Sequence, residues 1–309
     1  YEAICIIFCL ISFWHNLAPV LARHKYSATG AMPWYKCLYT LYLLSEASAT
    51  MTSSSDTPGQ TGKKAGCSQC QQAAPLGFDF TFAYQPIVDL STRSIFGHEA
   101  LVRGPNGESA YSVLSQVNDE NRYVFDQACR VRAIEGAARL GIQEYLSINF
   151  LPNAVYRPEA CIQTTLAAAR EYNFPIRRII FEVTEGEEVR DRPHLVNIFH
   201  EYRRFGFQTA IDDFGAGYAG LTLLAEYQPH IIKIDMELVR GIEASAPRQA
   251  IVRGIVAICK ELNIQVLAEG IETAAERDCL KEMGIDLMQG YLFCKPALMA
   301  IGVINPAAW

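Results

Sequence analysis

The chain has 309 residues, half of them hydrophobic, which is enough for one large α/β core and an additional tail. Its formal charge of -6 and its pI near 5.6 argue against a protein that binds nucleic-acid polymers through a broad basic surface. An anionic ligand would therefore need metal ions or individual arginines for its binding.

Residues 1–50 form an apolar N-terminal extension to which the sequence assigns no role. The apolar run from Ala3 to Trp14 has about twelve residues, short of the roughly 20 that a helix needs to cross a bilayer. We therefore expect no membrane span. Because Met51 opens a polar stretch typical of a disordered start, we favour a fragment or an upstream translated extension over a truncated membrane segment.

Residues 51–77 are rich in Ser, Gly, Pro and small polar residues, which predicts a flexible linker or tail. The pair Cys67 and Cys70 could supply half of a zinc site or a redox dithiol, but no second pair follows it, so two exposed thiols are favoured.

The cysteines from Cys129 onward lie on periodic apolar segments without a framework spacing. They predict buried free thiols in a reducing compartment, the cytosol.

From Phe78 onward, short β-branched or aromatic runs alternate with longer amphipathic stretches, which predicts βα units. The predicted strands are TFAYQPIVDL, SIFGHEALV, YLSINF, RIIFEVTE, QTAIDDF, HIIKIDM, QVLAEGI and LMQGYLF. The predicted helices are Tyr123 to Arg139, Glu159 to Tyr172, Pro193 to Phe205, Arg248 to Leu262 and Ala274 to Met283. By size, this pattern predicts a closed barrel over residues 78–300 and a C-terminal tail over residues 301–309.

The first two predicted strands are separated only by Ser91, Thr92 and Arg93. Parallel neighbours need a crossover of about a dozen residues or more, so these two strands must pair antiparallel. The predicted fold is therefore α/β, a modified TIM (β/α)8 barrel with the first strand antiparallel.

Polar side chains recur at or just past the ends of the apolar runs. They are Glu99, Asn149, Glu182, Asp212, Asp213, Lys233, Glu269 and Gln289. An α/β barrel assembles its site from strand ends in this way. In HIIKIDM, alternation places Ile231, Lys233 and Asp235 on one face, which predicts charged residues in the lumen or at its mouth.

Asp212 and Asp213 are neighbours that would point in opposite directions in a regular strand, so we expect the strand to end there and Phe214 to Gly217 to supply the turn. Adjacent carboxylates repel unless cations neutralise them. Oxygen-only ligands without clustered His or Cys favour Mg²⁺ or Mn²⁺. Two such ions activate a water and stabilise both sides of a phosphodiester displacement, so we predict phosphoester hydrolysis.

Eight short motifs in order carry a family resemblance, although each alone is weak. They are YQPI, GHEALVRG, SINF, FEVTE, DDFGAGY, KID, AEGIET and QGYLF. Together they resemble the EAL-domain cyclic-di-GMP phosphodiesterases, over about Phe78 to Pro296. The resemblance implies an enzyme that opens cyclic di-GMP to linear 5′-pGpG with two Mg²⁺ or Mn²⁺ ions per site.

The resemblance also implies residue roles. Glu99, Asn149, Glu182 and Asp212 match ligands of the first metal, and Asp212 bridges to a second that Asp213 helps to hold. Lys233 matches the lysine that orients or polarises the attacking water, while Glu269 and Gln289 match residues that complete the network.

Further residues match family positions that contact the substrate or belong to the loop after Asp213. Gln85 and Arg103 match substrate-contacting positions, Asp235 is a further candidate, and Tyr291, Phe293 and Pro296 are candidate walls for the guanines. Glu185 matches the glutamate that steadies the loop after Asp213, and Glu272 has either a supporting role there or a plain salt bridge. Ala216 and Ala219 replace the Thr or Ser that family members often carry in this loop.

Two alternatives remain open. One is a catalytically silent receptor for cyclic di-GMP, and the other is a di-metal barrel hydrolase of another phosphodiester. Silent members typically lack a metal carboxylate or the lysine, and none is missing here, which favours the enzyme. Family members pair through helices next to the Asp212-Asp213 loop, so the resemblance also implies a homodimer.

Overall fold

The computed structural model describes residues 76–184, 191–217 and 220–309. The predicted N-terminal extension, nearly all of the predicted linker with Cys67 and Cys70, and Glu185 lie outside the described residues. Within them, no helix is both long and apolar enough to cross a membrane.

Nine strands lie in the described residues. They are β1 (Thr81–Asp89), β2 (Ser94–Arg103), β3 (Tyr145–Asn149), β4 (Ile179–Thr184), β5 (Gln208–Phe214), β6 (Ile231–Ile234), β7 (Gln265–Ala268), β8 (Leu287–Met288) and β9 (Ala297–Leu298). Strands β2 to β8 are parallel and follow one another in chain order, and β1 closes the barrel between β8 and β2. The short β9 pairs antiparallel with β1 at Ala83 and Tyr84.

The first strand runs antiparallel to both of its barrel neighbours, β2 and β8. The tight connection to β2 depends on Asp89, whose Oδ1 accepts hydrogen bonds from the Ser91 amide at 2.8 Å and the Ser91 hydroxyl at 2.6 Å. Arg93 adopts a left-handed backbone with φ 54°. This turn leaves no room for a parallel crossover, and the predicted modified barrel is confirmed.

Helices fill the connections between the parallel strands. They are α1 (Ala110–Leu114), α2 (Arg122–Arg139), α3 (Pro158–Glu171), α4 (Arg192–Phe205), α5 (Gly220–Glu226), α6 (Met236–Val239), α7 (Ala246–Glu261) and α8 (Ala274–Glu282). The five predicted helices agree with α2, α3, α4, α7 and α8 to within two residues at each end. The three unpredicted helices are too short to show a helical period.

Two apolar layers flank the barrel wall. The lumen holds a small cluster of Ile87, Ile180, Ala210, Ile231, Leu267 and Leu287, whereas the larger core lies between strands and helices. Ile231 belongs to the lumen cluster and its neighbours Ile232 and Ile234 to the outer core. The alternation predicted for HIIKIDM therefore holds, and Lys233 points inward.

The segment predicted as a C-terminal tail packs on the barrel. Ala308 is buried, and its carbonyl accepts a hydrogen bond from Arg277 Nη1 of α8 at 3.0 Å. The Asn305 amide donates to the Phe293 carbonyl at 2.9 Å. These contacts hold the chain beyond β9 against the barrel.

Candidate active site

Lys233, on β6, is the centre of a buried charged cluster at the carboxyl end of the barrel. Its Nζ lies 2.7 Å from Glu269, 2.9 Å from Glu182, 3.1 Å from Asp212 and 3.5 Å from Glu99. The lysine side chain is fully buried. One cation thus faces four carboxyl groups, so full ionisation of these groups would leave the cluster with an excess of negative charge.

Two amides hold the carboxylate of Glu99. Asn149 Nδ2 donates to Glu99 Oε1 at 2.9 Å, and Gln289 Nε2 donates to Glu99 Oε2 at 2.8 Å. Gln289 Nε2 also lies 3.1 Å from Gln85 Oε1. The parallel register places Asn149 beside Glu182. Distant segments of the chain therefore converge because their strand ends share one edge.

Asp212 and Asp213 both face this edge because the strand is irregular there. Asp213 has a left-handed backbone with φ 54°, and the pairing of β5 with β6 shifts register between Ile211 and Phe214. The Asp213 amide donates to Asp212 Oδ1 at 2.9 Å. As predicted, β5 ends at Phe214 and the turn follows directly, with the Ala216 amide donating to the Asp213 carbonyl at 3.1 Å. The left-handed backbone of Asp213 was not predicted.

A cavity of about 320 Å³ opens above the cluster. Its lining includes six carboxylates, from Glu99, Asp212, Asp213, Asp235, Glu269 and Glu272. Among the described residues that line it, Arg240 is the one cation, and its Nη2 lies 3.1 Å from Glu272 Oε1. The cavity is therefore strongly acidic, with one arginine at its rim.

Burial and crowding shift the titration of these acids. The pKa of Glu182 is raised to about 8 by burial, with Glu99 and Asp212 adding to the rise and Lys233 opposing it. The pKa of Asp213 is raised to about 6 by burial and by Asp212 and Asp235. Lys233 keeps a raised pKa because the carboxylates outweigh its burial. Added positive charge would relieve this repulsion.

The donor set fits divalent cations. One group, Glu99, Glu182 and Asp212, and a second, Asp212, Asp213 and Glu269, each bring carboxylate oxygens within 4.8 Å of one another. Asp212 belongs to both groups. Oxygen donors without His or Cys are those that Mg²⁺ and Mn²⁺ prefer.

The predicted substrate residues divide between two places. Gln85, Asp235 and Tyr291 line the acidic cavity, and Asp235 also caps α6 by accepting from the Glu237 amide at 2.8 Å. Pro296 is half-buried and is not among the described residues that line it. Glu272 forms the rim ion pair, and its predicted loop contact lies partly outside the described residues.

Arg103 lines a second, mainly apolar cavity of about 330 Å³, which shares Leu101 with the first. Its Nη1 donates to the Val102 carbonyl at 2.7 Å. Phe82, Phe125 and Phe150 form aromatic walls of this cavity. Aromatic walls for the guanines were predicted near Tyr291, and aromatic side chains also line the second cavity, on the other side of Leu101.

Arg240 was not predicted from the sequence. This arginine follows the four-residue α6, which shows no period, and its proximity in sequence to Lys233-Ile234-Asp235 was the available signal.

The glycine after Glu269 is required by the structure for a reason that the motif did not reveal. Gly270 has φ +66°, and a Cβ there would clash with Met236. Glycine thus lets the β7 end pass close to α6.

The family model of the EAL domain matches residues 69–296. The chain belongs to the EAL domain family. This confirms the resemblance inferred from the eight motifs.

Solved structures of other EAL proteins share the fold. A standalone versatile EAL protein from Vibrio cholerae O395, in its c-di-GMP-bound form, is 57% identical, with TM-score 0.73, and the match covers 75% of this chain and 98% of that one. Klebsiella pneumoniae BlrP1, in a complex with manganese and cyclic di-GMP, is 39% identical, with TM-score 0.68, over 75% of this chain and 60% of that one.

The curated relatives include an antirepressor and a cyclic di-GMP phosphodiesterase. The blue light- and temperature-regulated antirepressor BluF of Escherichia coli K12 is 34% identical over 74% of this chain and 56% of its own length. The cyclic di-GMP phosphodiesterase PdeR of the same organism is 39% identical over 41% of this chain and 19% of its own length. The EAL chain thus spans only part of these longer relatives.

Proposed function

We propose that this EAL protein is a metal-dependent phosphodiesterase that hydrolyses cyclic di-GMP to linear 5′-pGpG. The observation that carries the proposal is the convergence of Glu99, Glu182, Asp212 and Glu269 around one buried lysine, with Asp213 beside them. Similarity to PdeR and to BlrP1, which was solved with manganese and cyclic di-GMP, supports the choice of substrate.

Two Mg²⁺ or Mn²⁺ ions are proposed for each site. Glu99, Asn149, Glu182 and Asp212 would hold the first, and Asp212 and Asp213 would hold the second, with Glu269 close to both aspartates. Bound there, the ions would supply Lewis-acid activation of a water and neutralise charge on the phosphate.

The protein's own contribution is to hold the acids in place. Lys233 donates to Glu182 and contacts Asp212 and Glu269 within 3.1 Å, so it fixes three carboxylates with one ammonium group. We propose that its ammonium also orients the attacking water. Gln289 holds Glu99 against Gln85, which keeps this edge of the site ordered before substrate arrives.

We propose that the substrate binds across the two cavities. The support is that both cavities are lined by Leu101 and therefore adjoin. Arg103 lies in the apolar cavity and Arg240 at the acidic rim, so an arginine is available on each side for phosphate or base oxygens. Tyr291 supplies an exposed aromatic face for a guanine.

A catalytically silent receptor is the alternative, and its support is the similarity to BluF, an antirepressor. The complete set of acids and the lysine favour the enzyme. The discriminating experiment incubates the full chain with cyclic di-GMP and Mn²⁺, with and without chelator, and follows linear product by chromatography. We expect product only without chelator. Tight binding by folded protein without turnover would refute the enzyme and support the receptor.

We also propose that the protein acts in the cytosol as a homodimer. Cys129, Cys161 and Cys259 are buried and are not in a disulfide, which suits a reducing compartment. Leu221 on α5, close to the Asp212-Asp213 loop, has 63% of its surface exposed and suits an interface. Light scattering on the purified chain tests the dimer, and a monomer at micromolar concentration would contradict it.

A further inference from the structure

A second buried cation lies on the outer side of the barrel wall. Arg130 of α2 is fully buried, and its Nη1 donates to the Tyr202 hydroxyl of α4 at 2.7 Å. The guanidinium carbon lies 4.8 Å from the ring centre of Phe181, 5.4 Å from that of Tyr202 and 5.6 Å from that of Phe150. Aromatic faces stabilise a desolvated arginine by cation–π attraction.

Asp126, one helical turn earlier, balances this charge. Its Oδ2 lies 2.9 Å from Arg130 Nε, and its Oδ1 accepts a hydrogen bond from the Leu151 amide at 3.0 Å. Burial alone would lower the pKa of Arg130, but Asp126 and Tyr202 outweigh it and raise that pKa. The arginine therefore stays charged and ties α2 to the segment that follows β3.

The residues around Arg130 are neighbours of two proposed metal ligands. Phe150 follows Asn149, and Phe181 precedes Glu182. Because successive side chains of a strand point to opposite faces, the rings contact Arg130 outside the barrel while Asn149 and Glu182 face the site. The register pairs Asn149 with Glu182, and the Phe150 amide donates to the Glu182 carbonyl at 3.0 Å. Through these two rings, Arg130 thus contacts the outer side of the barrel at the ends of β3 and β4, the strands that carry Asn149 and Glu182.

Stability alone does not account for this arrangement. Replacing a buried ion pair with well-packed apolar residues is often neutral or stabilising, so the pair is weak evidence for a stability role. A planar guanidinium, however, holds its partners in one orientation, which an aliphatic side chain does not.

We propose that Arg130 is a positioning residue for the metal site. Through Phe150, Phe181 and the Asp126–Leu151 bond, it holds the ends of β3 and β4 so that Asn149 and Glu182 meet a divalent cation in one geometry. The inference rests on the proposed function only in assigning these two residues to a metal.

The test measures Mn²⁺ binding by isothermal titration calorimetry, without nucleotide, on wild type, Arg130→Met and Tyr202→Phe. Loss of a group that orients metal ligands typically weakens metal affinity about 10- to 100-fold, and we expect about tenfold for Arg130→Met. Tyr202→Phe keeps the ring and removes one hydroxyl, so its loss should be smaller but measurable. Arg132→Met is the matched control, since this arginine lies on the same helix with 40% of its side chain exposed, and its Mn²⁺ affinity should equal that of wild type.

Turnover measured in parallel separates positioning from a general loss of structure. For Arg130→Met, we expect the Mn²⁺ concentration for half-maximal activity to rise about tenfold, while kcat at saturating Mn²⁺ returns towards the wild-type value. A merely misfolded fraction would lower kcat at every Mn²⁺ concentration and would contradict the proposal.

Folded Arg130→Met with Mn²⁺ affinity within twofold of wild type would overturn the inference. If that variant does not fold, Tyr202→Phe decides, and unchanged affinity there overturns it. A wild type that binds Mn²⁺ but leaves cyclic di-GMP intact would refute the proposed function alone. A wild type that does not bind Mn²⁺ would refute this inference as well.

Discussion

Two buried cations on opposite sides of the same barrel wall show how differently one fold treats charge. Lys233 in the lumen has four carboxylates within 3.5 Å. Arg130, behind the wall, has one carboxylate partner, one phenol and three aromatic faces. Both side chains are fully buried.

The difference lies in the charge balance. Around Arg130, one carboxylate balances the one positive charge. Around Lys233 the acids are in excess, and burial, with neighbouring carboxylates adding to its effect, raises the pKa of Glu182 and of Glu269. A buried excess of one sign is costly unless a ligand completes it, which is how a metal site differs from a structural ion pair.

The largest expected effect comes from removing the lumen cation. Lys233→Met should lower kcat by about 10²- to 10⁴-fold, since it deletes the contacts to three carboxylates and the proposed orientation of the attacking water. Product chromatography with cyclic di-GMP and saturating Mn²⁺ measures this, and circular dichroism checks the fold. Turnover within tenfold of wild type would show that Lys233 has a structural role and is not required for the reaction.

Replacing Arg130, the cation on the outer side of the barrel wall, should instead lower the free energy of unfolding. Arg130→Ala should lower the free energy of unfolding by about 3–5 kcal/mol, because it leaves Asp126 buried and unpaired. Urea denaturation provides the measurement. The matched double variant Asp126→Leu with Arg130→Met removes both charges and should lose less than the single variant. Equal losses would mean that packing, rather than the unpaired acid, sets the cost.

An exposed cation at the cavity rim should have a smaller, different effect. Arg240→Ala should raise KM for cyclic di-GMP about fivefold with kcat nearly unchanged, since a solvent-exposed charge contact is worth about 1 kcal/mol in binding. Arg240→Lys keeps the charge and should recover part of this loss in steady-state kinetics. A fall in kcat with constant KM would place Arg240 in the chemistry instead.

The smallest effect belongs to the surface cation nearest Arg130. Arg132 pairs with Asp79, whose side chain is 69% exposed, and surface pairs contribute about 0–1 kcal/mol. Arg132→Met should therefore change the free energy of unfolding by less than about 1 kcal/mol in urea and leave turnover intact. A loss comparable to that of Arg130→Ala would remove the contrast between buried and surface charge.

The candidate site could be predicted from sequence where its residues lie on regular elements. Glu99, Asn149, Glu182 and Lys233 lie in strands, and neighbouring parallel strands bring such residues to one edge of the barrel. The left-handed backbone of Asp213 could not be predicted, because it accompanies a register shift of β5 against β6.

The alternation of strands and helices, the antiparallel first strand and the acidic character of the site could be predicted from the sequence, since each follows from local periodicity, a three-residue connection or residue type. Packing, in contrast, places Arg103 in the apolar cavity and Arg240 at the acidic one, and brings Arg130 to Tyr202 across 72 residues of chain. These placements depend on how each helix packs against the wall, and packing joins residues whose positions no local pattern relates.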